Sequence, residues 1–491
     1  MGVLLSASQF FYNRSLWLDE AMLTHSILNC GFFGLLHPLA YFQVAPISFL
    51  LSEKIFSLVI PNSEYGLRLF PMISYCASLF FFYKIVKLIF QNDYAIIFAL
   101  SLFVFNPTLI YYASEVKQYM TDVMVISLLY YLLLKNYKNP EYKYYFLGIA
   151  GVISISLSNV APIILSTVAL FLFYEIKHKD KKYILKYTAV ISAWLISFGI
   201  YYSLFIANHP AKGFMLDYWG KVDAFLPVNP LNYNFYLFLK VKLFMVVHSL
   251  FNFGFIRGIC LRFFISIGLL FIIFKRKISL LIITLLPILL HLFLSALKLY
   301  PFDLRLILYM TPLFIILATF GFKYLLEIVF TDLKIQRFRL FAIGMPLVLV
   351  FFCIGKLPLQ KEEIKKSLQF YKENREVGDK LNLYYCSSTS FNFYKKNGFV
   401  NNTVIPLVFG SWEEGISEKD INELTLFKGR QWILFSHFNK NEESFLINKL
   451  DSLGYTKSKE YKTYGSSIYL YDFSSKTPMI DTTDLKGICN K

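Results

Sequence analysis

Lys275-Arg276-Lys277 is followed by Ile278-Ser279-Leu280-Leu281-Ile282-Ile283-Thr284-Leu285-Leu286-Pro287-Ile288-Leu289-Leu290-His291-Leu292-Phe293-Leu294-Ser295-Ala296-Leu297, a run without Asp, Glu, Lys or Arg. A run of this length crosses a hydrocarbon core about 30 Å thick, for which roughly 17–25 helical residues suffice. The basic triplet before it reads as a cytoplasmic anchor, because Lys and Arg collect on that side of a membrane. The same pairing of basic cluster and apolar run recurs along the chain. It sets the fold class as a polytopic α-helical membrane protein.

Composition agrees. The 491 residues are 56% hydrophobic and only 16% charged, against ~25% charged in a soluble domain. The net charge of +17 does not point to nucleic acid. It sits in short clusters between apolar runs, at Lys84/Lys87, Lys135 to Lys143, Lys177 to Lys186, Lys275 to Lys277 and Lys334 to Arg339, which is a topology signal. Cysteines 30, 76, 260, 353, 386 and 489 have no CxxC spacing, so neither a disulfide framework nor a zinc knuckle is indicated.

With the five clusters in the cytoplasm, the runs 68–90, 93–113, 119–134, 144–159, 160–176, 185–206, 259–274, 278–297, 306–329 and 340–356 are the spans, about 10–12 helices in all. Segments 13–67, 112–118, 207–258, 298–305 and 357–491 then fall on the outer face. Phe42 to Pro61 carries Glu53-Lys54 near its middle and reads as an interfacial helix. Phe235 to Phe255, with Lys240, Lys242 and His248, reads the same way. Gly2 to Tyr12 is half a span and lacks the basic flank and small-residue cleavage site of a signal peptide. It reads as a truncated first helix.

Beyond Lys356 the character changes. Leu381 to Tyr385, Gln431 to Phe435 and Ser467 to Tyr471 alternate as strands do, and Glu442 to Leu453 is an amphipathic helix stopped by Gly454. The expected organisation is therefore a transmembrane domain over 1–356 and a small extracytoplasmic α/β domain over 357–491. His437 has no visible partner and reads as structural.

Four polar constellations stand on the outer face. Trp17-Leu18-Asp19-Glu20 places two adjacent carboxylates at a membrane boundary, where an uncompensated charge is costly; a solvated loop with an interfacial Trp is the alternative. In Ser114-Glu115-Val116-Lys117-Gln118-Tyr119-Met120-Thr121-Asp122, the residues Glu115, Gln118, Tyr119 and Asp122 fall on one helical face, unless Glu115 simply caps a helix start. Lys298-Leu299-Tyr300-Pro301-Phe302-Asp303-Leu304-Arg305 leads into a helix; its Arg305 is either a phosphate fork or a snorkelling cation. His37-Pro38, with Gln43-Val44-Ala45-Pro46, breaks the backbone between the acidic loop and the interfacial helix. Together the four supply carboxylates to deprotonate an acceptor and cations to hold a leaving phosphate.

In that order, Ser15-Leu16-Trp17-Leu18-Asp19-Glu20-Ala21, the break at Gln43 to Pro46, Glu64-Tyr65-Gly66-Leu67-Arg68-Leu69-Phe70-Pro71 and Tyr112-Ala113-Ser114-Glu115-Val116-Lys117-Gln118-Tyr119 resemble the bacterial GT-C membrane glycosyltransferases, family 39-like. Relatives there include protein O-mannosyltransferases and the lipid A aminoarabinose transferase. The resemblance is strong over 13–135, moderate over 300–312 and weak in the outer domain. It implies an inverting enzyme of the bacterial cytoplasmic (inner) membrane, with its site on the extracytoplasmic face. A sugar would move from a polyprenyl-phosphate donor to a lipid, polysaccharide or protein acceptor.

The implied roles are residue by residue. Asp19 is the base, with Glu20 and Glu115 beside it as catalytic residues. Lys117 and Arg305 hold the donor phosphate. Beyond those matches, Gln118, Tyr119, Asp122, Tyr300, His37 and Gln43 are the expected substrate-binding residues. Any divalent metal ion would sit on Asp19, Glu20 and Glu115. The chain departs from the family at Asp303-Leu304, where small residues are usual, and at its short first helix. The rival readings are a transporter or flippase of lipid-linked glycans, which would need inverted repeats, and an inactive assembly subunit.

Overall fold

A computed structural model describes residues 1–61, 63–139, 144–176, 181–329, 344 and 347–476. The chain divides into two units. The membrane unit comprises Met1–Tyr12 and Ser26–Leu359, and the α/β unit comprises Asn13–His25 and Gln360–Lys491. The longer segment of the α/β unit begins at Gln360. The outer loop 13–67 is split, however, because its first part, with Asp19 and Glu20, folds with the α/β unit.

The helices up to residue 329 are α1 (Gly2–Tyr12), α2 (Leu18–Asn29), α3 (Ile47–Val59), α4 (Glu64–Ile89), α5 (Asp93–Val104), α6 (Pro107–Tyr112), α7 (Tyr119–Lys138), α8 (Tyr144–Leu157), α9 (Ala161–Ile176), α10 (Lys181–Tyr201), α11 (Lys212–Lys221), α12 (Tyr233–Phe251), α13 (Phe255–Phe274), α14 (Ile278–Ala296) and α15 (Thr311–Val329). Among the described residues six helices are long and apolar enough to cross a membrane: 64–89, 183–206, 233–251, 257–274, 278–296 and 308–328. Shorter apolar helices lie at 93–104, 144–157 and 161–175. Residues 347–354 are helical; the rest of the expected span 340–356 up to residue 346 lies, apart from 344, outside the described residues, as does the basic cluster Lys334 to Arg339.

Two spans differ from the sequence reading. The run 93–113 is two helices, because Asn106 caps α6 by accepting from the N–H groups of Thr108 and Leu109 at 2.9 and 3.2 Å, with Pro107 in its first turn. Asn before Pro is a helix start, and hydropathy alone hides it. Phe235 to Phe255, expected along the interface, lies mostly in α12, a continuous helix of 19 residues that is apolar enough to cross. By contrast α3 has 13 residues, about 20 Å at 1.5 Å per residue, too short for the core. Glu53 and Lys54 on it are both buried. Lys54 donates to the carbonyls of Ile27 and Leu28 at 2.9 and 3.2 Å, neutralising the C-terminal end of α2.

Close helix contact needs small residues in a membrane, and α13 and α15 supply them. A Cβ on Gly268 would stand 1.8 Å from the Leu317 carbonyl oxygen, and one on Gly321 would stand 1.9 Å from that of Phe264. Beside this crossing the rings of Phe98 and Phe322 stack at 4.0 Å.

The α/β unit carries β1 (Lys380–Tyr384), β2 (Leu407–Phe409), β3 (Arg430–Ser436), β4 (Tyr455–Thr463) and β5 (Ser466–Lys476), in the order β2-β1-β3-β5-β4. β1 is parallel to β2 and β3, with Leu383 opposite Leu434, while β5 runs antiparallel to β3 and β4. Helix Ser387–Lys396 joins β1 to β2 and helix Glu418–Leu426 joins β2 to β3. The second starts on a capping box of Ser417 and Asp420. β3 is central and buried after its first residue, which suits its apolar run Trp432 to Phe435. β4 is an edge, and its Lys457, Lys459 and Lys462 discourage further pairing.

Candidate functional site

Asp19 and Glu20 lie in the first turn of α2, where the helix dipole favours carboxylates. Glu20 is fully buried and bound to Arg14, also buried, at 2.6 Å. The pair clamps the turn at the start of α2. A fork donor with five N–H groups is suited to holding a buried carboxylate. Asp19 is half-buried.

The segment leading to α2 is fixed at each residue. The Leu16 N–H donates to the Tyr394 hydroxyl at 2.7 Å, and the Leu18 N–H to Glu362 Oε2 at 3.1 Å. Ser15 Oγ accepts from the Lys365 N–H at 3.0 Å. Glu362 Oε1 pairs with His437 Nδ1 at 2.7 Å. Trp17 packs 6.1 Å from the His437 ring and carries the Lys361 ammonium 3.0 Å from its centroid. His437 thus has a carboxylate partner that the sequence did not disclose.

The second constellation is built in the membrane unit. The chain between α6 and α7 does not continue as a helix. Residues 113–118 form a bend, with the Lys117 N–H donating to the Glu115 carbonyl at 2.7 Å. Glu115 is therefore not on one helical face with Gln118, Tyr119 and Asp122. The helix begins at Tyr119, with Gln118 as its cap residue, and the bend aims two side chains independently of helical spacing. Glu115, Lys117, Gln118, Tyr119 and Asp122 are all buried. Lys117 Nζ donates to Gln43 Oε1 at 2.7 Å, which joins the bend to the Gln43-Val44-Ala45-Pro46 break. Asp122 accepts from the Ser158 hydroxyl at 2.5 Å. His37 is exposed in the loop before it and joins none of these.

Arg305 sits in the turn before α15, with its guanidinium 5.9 Å from the Tyr119 ring centroid and 5.7 Å from that of Trp219. The turn is held by His291 on α14. In the neutral ring Nε2 donates to the Pro301 carbonyl at 2.9 Å, and Nδ1 accepts from the Tyr309 hydroxyl at 3.0 Å. Tyr300 packs 5.0 Å from the same ring, so it serves as a wall of this support. Asp303, the departure from the family pattern, is bound to Lys242 of α12 at 2.8 Å. Its charge is thereby taken up next to Arg305.

Lys117 is thus bound to Gln43, and Arg305 lies over the ring of Tyr119, two residues beyond Lys117 in the chain. Trp219, on α11, was missed; the cue was an interfacial Trp in an outer segment. An apolar groove of about 390 Å³ is lined by Phe81, Met124, Leu128, Tyr131, Phe146 and Ile153. Met124 and the groove residue Leu157 are close in sequence to the Asp122–Ser158 hydrogen bond. Among the described residues no three His, Cys, Asp or Glu side chains stand together to hold a metal ion.

No family model matches the chain, and no curated protein matches it. Two solved structures are similar to it: ArnT from Cupriavidus metallidurans in the apo state, at 10% identity and a TM-score of 0.47, and the same protein bound to undecaprenyl phosphate, at 11% and 0.49. Each comparison covers 96% of this chain and 97% of that one. At such identity and TM-score the likeness concerns the fold alone and assigns no residue a role.

Proposed function

We propose that the chain is a membrane glycosyltransferase. In this reading it moves a sugar from a polyprenyl-phosphate donor to a hydroxyl or amine acceptor at the outer face of a bacterial cytoplasmic membrane. The observation that carries it is that two cations are each held by neighbours, Lys117 by Gln43, and Arg305 over Trp219 and over Tyr119, which stands two residues beyond Lys117 in the chain. Two preorganised cations at a membrane-embedded site suit a phosphate, and a planar guanidinium receives it with two parallel bonds. The apolar groove lined by Met124 and Leu128 suits hydrocarbon.

The acceptor oxygen or nitrogen attacks the anomeric carbon while Asp19 takes its proton. The bond from that carbon to the phosphate oxygen breaks, and the lipid phosphate leaves as an anion received by Lys117 and Arg305. Glu20 holds α2 in place through Arg14. Glu115, within the bend that carries Lys117, orients the acceptor side. Inversion at the anomeric carbon follows from a single displacement.

The test is transfer itself. Membranes holding the full chain, given radiolabelled polyprenyl-phosphate sugar, should move label to an acceptor and release lipid phosphate. Label that crosses the bilayer but stays on the lipid would mark a flippase instead.

A further inference from the structure

We infer that the α/β unit is the mount of the acidic pair and that Glu362 is the residue positioning Asp19; this rests on the reading of Asp19 as the base. The argument starts from the sheet. β2 and β3 lie on opposite sides of β1, so the connections β1-to-β2 and β2-to-β3 run in opposite senses. In open α/β sheets the carboxyl ends of the strands at such a reversal form the crevice that ordinarily takes a ligand. Here those ends are Tyr384, leading to Tyr385 and Cys386, and Ser436, leading to His437.

The crevice is occupied by the chain itself. Trp17 and Leu18 are buried in one apolar cluster with Tyr384, Cys386 and Phe435, and Trp17 lies against His437. Leu16 hangs from Tyr394, and Lys365 holds Ser15 through its N–H and Asn13 through its ammonium. The segment just before the acidic pair thus fills the place of a ligand.

Glu362 completes the mount. One of its oxygens takes the Leu18 N–H, an N–H at the start of α2 that lacks an intrahelical partner, and the other takes His437. Asp19 is the next residue, so this bond sets where its carboxylate starts from. His437 in turn keeps Glu362 from rotating. Its backbone stands at φ 52°, a left-handed conformation that non-glycine residues seldom adopt and that aims the ring from the end of β3. The pair Arg430 with Asp379, by contrast, belongs to the sheet.

The experiment compares full-length Glu362→Ala, Glu362→Gln and wild type by transfer kinetics and by hydrogen exchange. In Glu362→Ala, kcat should fall about 10²-fold, as small misplacements of a catalytic group do, with donor KM within about twofold. Glu362→Gln keeps an acceptor for the Leu18 N–H and should recover most of the rate. Exchange should rise in residues 16–20 of Glu362→Ala while β3 and β5 stay protected, which separates a loose mount from an unfolded unit. Unchanged protection at 16–20, or protection lost with kcat retained, overturns the proposal, as does a Gln variant no better than Ala. If β3 and β5 also lose protection in Glu362→Ala, Glu362 is a fold residue and the proposal fails. A wild-type chain that transfers nothing defeats the glycosyltransferase reading alone, because the exchange arm still reports whether Glu362 holds the segment.

Discussion

The two acidic segments, Trp17 to Glu20 and Glu115 to Lys117, read alike in sequence and are made in opposite ways. The first is held by others: an arginine six residues back, a glutamate and a tyrosine more than 300 residues on, and the carboxyl ends of β1 and β3. The second is held by its own backbone, a bend between α6 and α7 that points Lys117 at Gln43. The difference teaches that a charge in a membrane protein is placed either by docking or by breaking a helix. Docked segments are sensitive to distant residues, and broken helices to local ones.

The largest effect should fall on the Asp19 carboxylate of the docked segment. Asp19→Asn keeps shape but cannot take a proton, so kcat should drop at least ~10²-fold with normal membrane insertion. Glu115→Gln should cost less. Turnover assays on both decide it, and a Glu115 variant worse than the Asp19 variant would exchange their roles.

Next is the clamp. Arg14→Met leaves Glu20 buried without its partner, which costs about 3–5 kcal/mol, whereas replacing a buried pair by apolar residues is often near neutral. Thermal unfolding of purified protein should therefore show Arg14→Met strongly destabilised and the double variant Arg14→Met with Glu20→Leu largely restored. Equal loss in both would mean that the pair is not what holds the segment.

The cations come third. Arg305→Gln and Lys117→Gln each remove a charge-assisted contact worth roughly 1.5–3 kcal/mol, so apparent donor affinity should fall by about one to two orders of magnitude with acceptor KM little changed. Arg305→Lys should rescue in part, since a point charge lacks the planar fork. A donor titration at fixed acceptor reads this. Full rescue by Lys would mark Arg305 as a snorkelling anchor.

What was legible follows the same division. Most of the long apolar helices were visible from run length, α12 excepted, and the strands β1, β3 and β5 and the helix Lys440–Ser452 from alternation and amphipathic spacing. β4 was not, since Lys457 to Lys462 exposes nearly every residue and shows no alternation. The break at Asn106-Pro107 was written in the sequence but masked by hydropathy. The Lys117 and Arg305 signals were local and stood in the sequence. The Leu18–Glu362 bond joins residues 344 apart, and no period or motif announces it; nor does any announce that 13–25 folds with the distant α/β unit.

The smallest effect sharpens the comparison from within the α/β unit, where a second arginine–carboxylate pair is less enclosed than Arg14 with Glu20. Burial raises the Asp379 carboxyl, but hydrogen bonds from Arg430, the Glu376 N–H and Trp432 outweigh it and hold the group below its ordinary 3.8. A carboxyl lowered on folding stabilises the protein above its unfolded value, and that contribution fades as pH falls through the folded value. Glu376 and Asp472 also face Arg430 and share its charge. Asp379→Asn should therefore melt earlier than wild type near neutral pH, and the gap should close as pH is lowered below about 3.8, where the wild-type group takes up its proton. Melting curves of the two proteins across that range measure it. A gap that does not change with pH would mean that Asp379 acts by shape, through Trp432, and not by charge, and the contrast with the enclosed Arg14–Glu20 clamp would then rest on packing alone.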